Sequence, residues 1–95
     1  MEIIRTHRIG KNGLLGFVDV QFYTELGNLV IHGIAVRVSK AGKPYLRFPA
    51  RKADTGTWFD TVRPADGEAR EYFTEQVINA LRSRGRAART TRAVA

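Results

Sequence analysis

The chain predicts an α+β fold: a twisted antiparallel β-sheet of four to five strands followed by one C-terminal amphipathic helix. Three observations lead there. Apolar residues alternate with polar ones through the first half, turn-forming clusters interrupt them at short intervals, and one stretch after Pro64 switches to a helical period. Loops this short between consecutive strands favour antiparallel neighbours.

The elements follow in order. Glu2 to Ile9 reads as a strand with Ile3, Arg5 and His7 on one side and Ile4 and Thr6 on the other; Gly10-Lys11-Asn12-Gly13 is a turn cluster. Leu14 to Thr24 is the clearest strand, with Val18, Val20 and Phe22 on one face and Phe17, Asp19, Gln21 and Tyr23 on the other. Glu25-Leu26-Gly27-Asn28 closes a hairpin to Leu29–Ser39, where Val30, Ile34, Val36 and Val38 are expected to share a face with His32. After the turn Lys40-Ala41-Gly42-Lys43-Pro44 comes a strand over Tyr45–Phe48, stopped by Pro49. Arg51-Lys52 is then read as a basic pair riding on a turn closed by Gly56, and a short strand leads to Arg63-Pro64.

Asp66 is the expected N-cap of the helix, with Glu68 and Glu71 where the dipole favours anions. Ala69, Tyr72, Phe73, Val77, Ala80 and Leu81 fall on one face, and Gly85 is a natural stop. Ile78 projects from the polar side of this wheel, either as an ordinary exposed residue or as a contact to a partner chain. Residues 1–84 form a single domain, and residues 85–95, evenly spaced arginines without an apolar face, read as a disordered basic tail.

At 95 residues the chain has room for one modest core, so help from a second copy is plausible on size alone. It has no cysteine, which excludes disulfides and thiolate metal sites. The opening Met1-Glu2-Ile3-Ile4-Arg5 is not a signal peptide, and no run approaches a membrane span. A soluble, cytoplasmic protein is expected. The net charge of +7 is unevenly laid out: residues 1–52 hold nine Lys/Arg against three acids, residues 53–81 two against six, and residues 82–95 five against none. A cationic sheet segment and tail against an acidic helix segment suggest two electrostatic faces.

Catalytic signatures are missing. His7 and His32 lie on separate strands without metal-ligand spacing, Gly10, Gly13 and Gly16 lead into no helix, and Ser39 and Ser83 have ordinary neighbours. Asp54 and Asp60 bracket the basic turn, where acids more often make turn contacts or pair with Arg51 or Arg63 than act as a dyad. No enzyme, cofactor, metal or small-molecule substrate is therefore expected.

From Leu29 onward the sequence resembles the bacterial stage V sporulation protein G (SpoVG) family of septation regulators. The likeness begins with Val30-Ile31-His32-Gly33-Ile34-Ala35-Val36 and is strongest through Phe48-Pro49-Ala50-Arg51-Lys52, Gly56, Asp60 and Pro64. It continues through Arg70-Glu71, Val77 and Asn79, and the Met1-Glu2-Ile3 opening also fits, so it spans about residues 1–82. Gly33, Ala35, Phe59 and Arg63 depart from the family's usual residues. The resemblance implies homodimers joined sheet to sheet, binding to DNA and to RNA, and regulation of gene expression linked to septation or sporulation.

The expected mechanism is a phosphate grip by Arg51 and Lys52, assisted by Arg47 and Arg63, widened by Lys40 and Lys43, and reinforced by Arg84, Arg86 and Arg89 of the tail. Alternation also puts Arg37 and Arg47 on the sheet face away from the helix. Tyr23, Tyr45 and Trp58 could stack on unpaired bases if exposed, although the size of Trp58 favours core or dimer contact, and His32 is read as a packed, hydrogen-bonded strand residue. The competing class is a non-catalytic dimeric adaptor that recruits a division or transcription protein through Glu68, Glu71, Glu75 and Ile78.

Overall fold

The computed structural model describes the backbone of residues 1–94 and the side chains of residues 1–84. Strands β1 (Glu2–Lys11), β2 (Leu14–Thr24), β3 (Gly27–Val38) and β4 (Pro44–Arg47) form one antiparallel sheet in sequential order. Strands β5 (Ala50–Lys52) and β6 (Trp58–Asp60) pair only with each other, and α1 (Gly67–Val94) packs against one face of the larger sheet. The α+β expectation holds, with the last two strands set apart as a separate ribbon.

Alternation builds the core. Val18 and Val20 of β2, Ile34 and Val36 of β3, Leu46 of β4 and the following Phe48 are buried against Val77 of α1. Burying each such side chain is worth about 1.5–3 kcal/mol, enough for a small set to hold a short chain together. Phe73 sits between Phe22 and Phe48, with ring centroids 5.4 Å from each, tying the start of the helix to the sheet.

Bulges change the phase of this alternation. Ile3 faces Val20 and Arg5 faces Asp19, so Ile4 is an extra residue in β1. Ile3 and Arg5 therefore lie on opposite faces, not the same one. In β3, Val20 pairs with Ile31 and Val18 with Ile34, which leaves His32 and Gly33 opposite Asp19 alone. This bulge turns both Ile31 and Ile34 towards the core, whereas Val30 and His32 are exposed on the other side. The expectation that Val30 and His32 share the face of Ile34 is thus corrected. Gly33 adopts φ +73°, a left-handed conformation that side chains with a Cβ rarely tolerate.

The helix begins as its sequence dictates. The Ala69 amide donates to Asp66 Oδ1 at 2.8 Å, the N-cap bond, and Glu68 lies in the first turn. The buried stripe is rotated from the one expected. Phe73, Val77, Ile78 and Leu81 meet the core, while Tyr72 is 66% exposed. At 100° per residue Tyr72 points away from the stripe centred near Val77, and Ile78 falls at its margin. The helix also runs through Gly85 to Val94, beyond the stop expected there. A single helical glycine costs only about 1 kcal/mol, and the flanking Arg and Ala residues are strong helix formers.

Candidate nucleic-acid interface

Arg51 and Lys52 lie on β5 itself, with the turn following them over residues 53–57. The turn is closed by the Gly56 amide on the Ala53 carbonyl at 2.9 Å and the Ala53 amide on the Thr57 carbonyl at 2.8 Å. Because successive strand residues face opposite ways, the two cations stand on opposite sides of the ribbon and not side by side on a bend. Arg51 is opposite Phe59, its guanidinium carbon 6.0 Å from the ring centroid, and Lys52 is opposite Trp58. Each side of the ribbon therefore presents one cation with one aromatic.

Among the described residues the ribbon packs against no other element. Its base is held by the Thr61 amide and hydroxyl, which both donate to the Pro49 carbonyl at 2.9 and 3.0 Å. Trp58 is 65% exposed, so the core reading of that side chain is overturned. A ribbon of three-residue strands has no second layer in which to bury an indole. Among the described residues the one contact between a carboxylate and a basic side chain is Asp19–His32, and neither Asp54 nor Asp60 ties up Arg51, Lys52 or Arg63.

The other expected cations are dispersed. Arg47 is exposed on the open face of the sheet, where β4 pairs Arg47 with Ala35 and Tyr45 with Arg37. Arg37 is half-buried there, and its Nη2 donates to the Asn12 carbonyl at 3.3 Å. Lys40 and Lys43 sit on the β3–β4 turn, at the end of β4 remote from the ribbon, so they do not widen one continuous patch. Arg63 leans back on the carbonyls of Pro64 and Ala65, each at 3.4 Å, beside an apolar groove of about 440 Å³ between the sheet and α1. Arg84 is engaged within the fold, since its Nη1 donates to the Ile3 carbonyl at 2.9 Å and pins α1 to β1. The side chains of Arg86 and Arg89 lie outside the described residues. Ile78, read as a possible partner contact, is packed against the core of its own chain.

One cluster escaped the sequence reading. Asp19 Oδ1 accepts the Gly33 amide at 2.9 Å, and Oδ2 lies 3.0 Å from His32 Nδ1, so one carboxylate satisfies the β3 bulge from across the sheet. The hydrogen bond from His32, then the Gly33 amide, hold the Asp19 carboxyl below its ordinary value of 3.8. His32 is hydrogen-bonded as expected, but its side chain is 75% exposed, not packed. A glycine inside an otherwise strong strand was the available signal for this bulge.

Neither the curated proteins nor the solved structures include a match to this chain. The SpoVG family pattern, by contrast, matches residues 1–83, which takes in the sheet, the ribbon and α1 up to Ser83. With that match covering most of its length, the chain belongs to the SpoVG family.

Proposed function

We propose that this protein is a homodimeric, non-catalytic regulator that binds DNA, and RNA as well, and through that binding modulates genes of septation or sporulation in the cytoplasm. The observation that carries the reading is the β5–β6 ribbon: exposed Arg51 and Lys52, unpaired with any carboxylate among the described residues, next to exposed Phe59 and Trp58 on an element that serves no core. A two-stranded ribbon is also narrow enough to enter a major groove about 12 Å wide. Self-association is supported by β3, whose residues 27–34 pair with β2 on one side and, among the described residues, have no strand on the other. Such an edge is a template for joining two sheets. β2 offers no such edge, since it is paired on both sides.

The test is a gel shift at two salt concentrations with intact protein and with the double variant Arg51→Ala/Lys52→Ala. Binding should weaken as salt rises, and the double variant should lower the log–log salt slope by about 1.8 per protomer engaged, at about 0.9 per phosphate contact. Salt-independent retention, identical in both proteins, would discard the reading. The adaptor alternative rests on Glu68, Glu71 and Glu75 around exposed Tyr72, without Ile78. It predicts that Tyr72→Ala abolishes partner recruitment while nucleic acid is never retained.

A further inference from the structure

The uncovered face of the four-stranded sheet combines features that the ribbon lacks. Register places Phe17, Ala35 and Arg47 in one row across β2, β3 and β4, and Arg37 beside Tyr45 in the next. Helix α1 covers the opposite face only, through Val77 and its neighbours. Phe17 and Tyr45 keep 37% and 38% of their surface exposed although each stands in a paired strand. Ala35, with its short side chain, stands between Phe17 and Arg47 in that row.

Charge on this face points to a polyanion. Arg5, Arg37 and Arg47 stand here, with one Arg37 nitrogen already donating to the Asn12 carbonyl. The two strand acids on this face are engaged, Asp19 by His32 and the Gly33 amide and Glu2, opposite Gln21, by the Tyr23 hydroxyl at 3.4 Å. Width then decides which form of nucleic acid fits. Four strands at a spacing of about 4.8 Å put the axes of β1 and β4 about 14 Å apart, wider than the roughly 12 Å of a duplex major groove. A duplex also hides the faces of its bases, and aromatic rings on a flat sheet have nothing there to stack on. Unpaired bases do offer those faces.

We propose that this open face is a binding platform for single-stranded nucleic acid, with bases stacked on Phe17 and Tyr45 and phosphates held by Arg37 and Arg47. The inference rests on the nucleic-acid reading above and divides the labour within it. The narrow ribbon takes the duplex, and the broad sheet takes unpaired segments.

Fluorescence anisotropy on the full chain tests this with a labelled oligo(dT) and a labelled mixed-sequence duplex. Phe17→Ala/Tyr45→Ala should weaken oligo(dT) binding at least tenfold and leave duplex binding within about twofold, given the strength of base–aromatic stacking. Phe17→Leu/Tyr45→Leu, which keeps apolar bulk on the strands, should show the same loss with an unchanged melting temperature. Arg51→Ala/Lys52→Ala should do the reverse and weaken the duplex more than oligo(dT). The platform is overturned if both ring variants bind oligo(dT) within twofold of the parent. It is equally overturned if they lose both ligands alike, or if they alter only the sedimentation of the protein, which would make the face a contact between copies. An intact protein that retains neither ligand sinks the nucleic-acid reading itself; one that binds duplex but not oligo(dT) sinks only the platform.

Discussion

The two faces of the large sheet are built from the same strands, one residue out of phase, and they do opposite jobs. Ile34 and Val36 are buried under α1, while Ala35 between them belongs to the open face with Arg37, Tyr45 and Arg47. One side excludes water and carries stability. The other keeps charge and aromatic surface in contact with solvent, at little consequence for the core. Neighbouring substitutions should therefore separate folding from binding within a single strand.

The largest effect is expected from Ile34→Ala, which removes a fully buried side chain from the centre of the core. It should destabilise the protein by about 2–5 kcal/mol in urea unfolding. A loss below about 1 kcal/mol would mean that the covered face is not the core. Next comes Gly16→Ala. A Cβ there would collide with the backbone carbonyl oxygen of His7, so β1 and β2 would have to part locally. About 1–3 kcal/mol of destabilisation is expected, with hydrogen exchange accelerated along β1.

Asp19 sharpens the comparison from the open side. Its carboxyl is held below 3.8 in the folded chain, so the ionised form binds the bulge more strongly than the neutral one. The sign follows: this contribution is fully present above the unfolded value and is lost as pH falls through the lower folded value. Asp19→Asn, which retains an oxygen for the Gly33 amide, should flatten the dependence of melting temperature on pH below about 4. The smallest stability effect belongs to Arg47→Ala. Its side chain is exposed and unpaired among the described residues, so unfolding free energy should stay within about 0.5 kcal/mol. A larger loss would show that the open face supports the fold after all.

Much of this architecture was legible in the residues. The alternation of Val18, Val20 and Phe22, the turn clusters, and Asp66 as helix cap each appear where local chemistry puts them. The site was less so. Arg51 and Lys52 read as a pair on a bend, because adjacency in sequence says nothing about which side of a ribbon each side chain takes. Trp58 read by its size as a core or dimer contact, yet among the described residues its own chain has no layer to cover it. Arg84 read as a free tail cation until β1 came within reach of its guanidinium.

The order of the strands, the capped helix that follows them and the segregation of charge were set by the residues alone, since periodicity and turn chemistry are local properties. Which residue faces the core was decided only when the strands paired. One extra residue at Ile4, and another at His32-Gly33, reverses the parity of everything on one side of it. A bulge is a relation between two strands, satisfied here by Asp19 of the neighbouring strand, and no single stretch of sequence contains it.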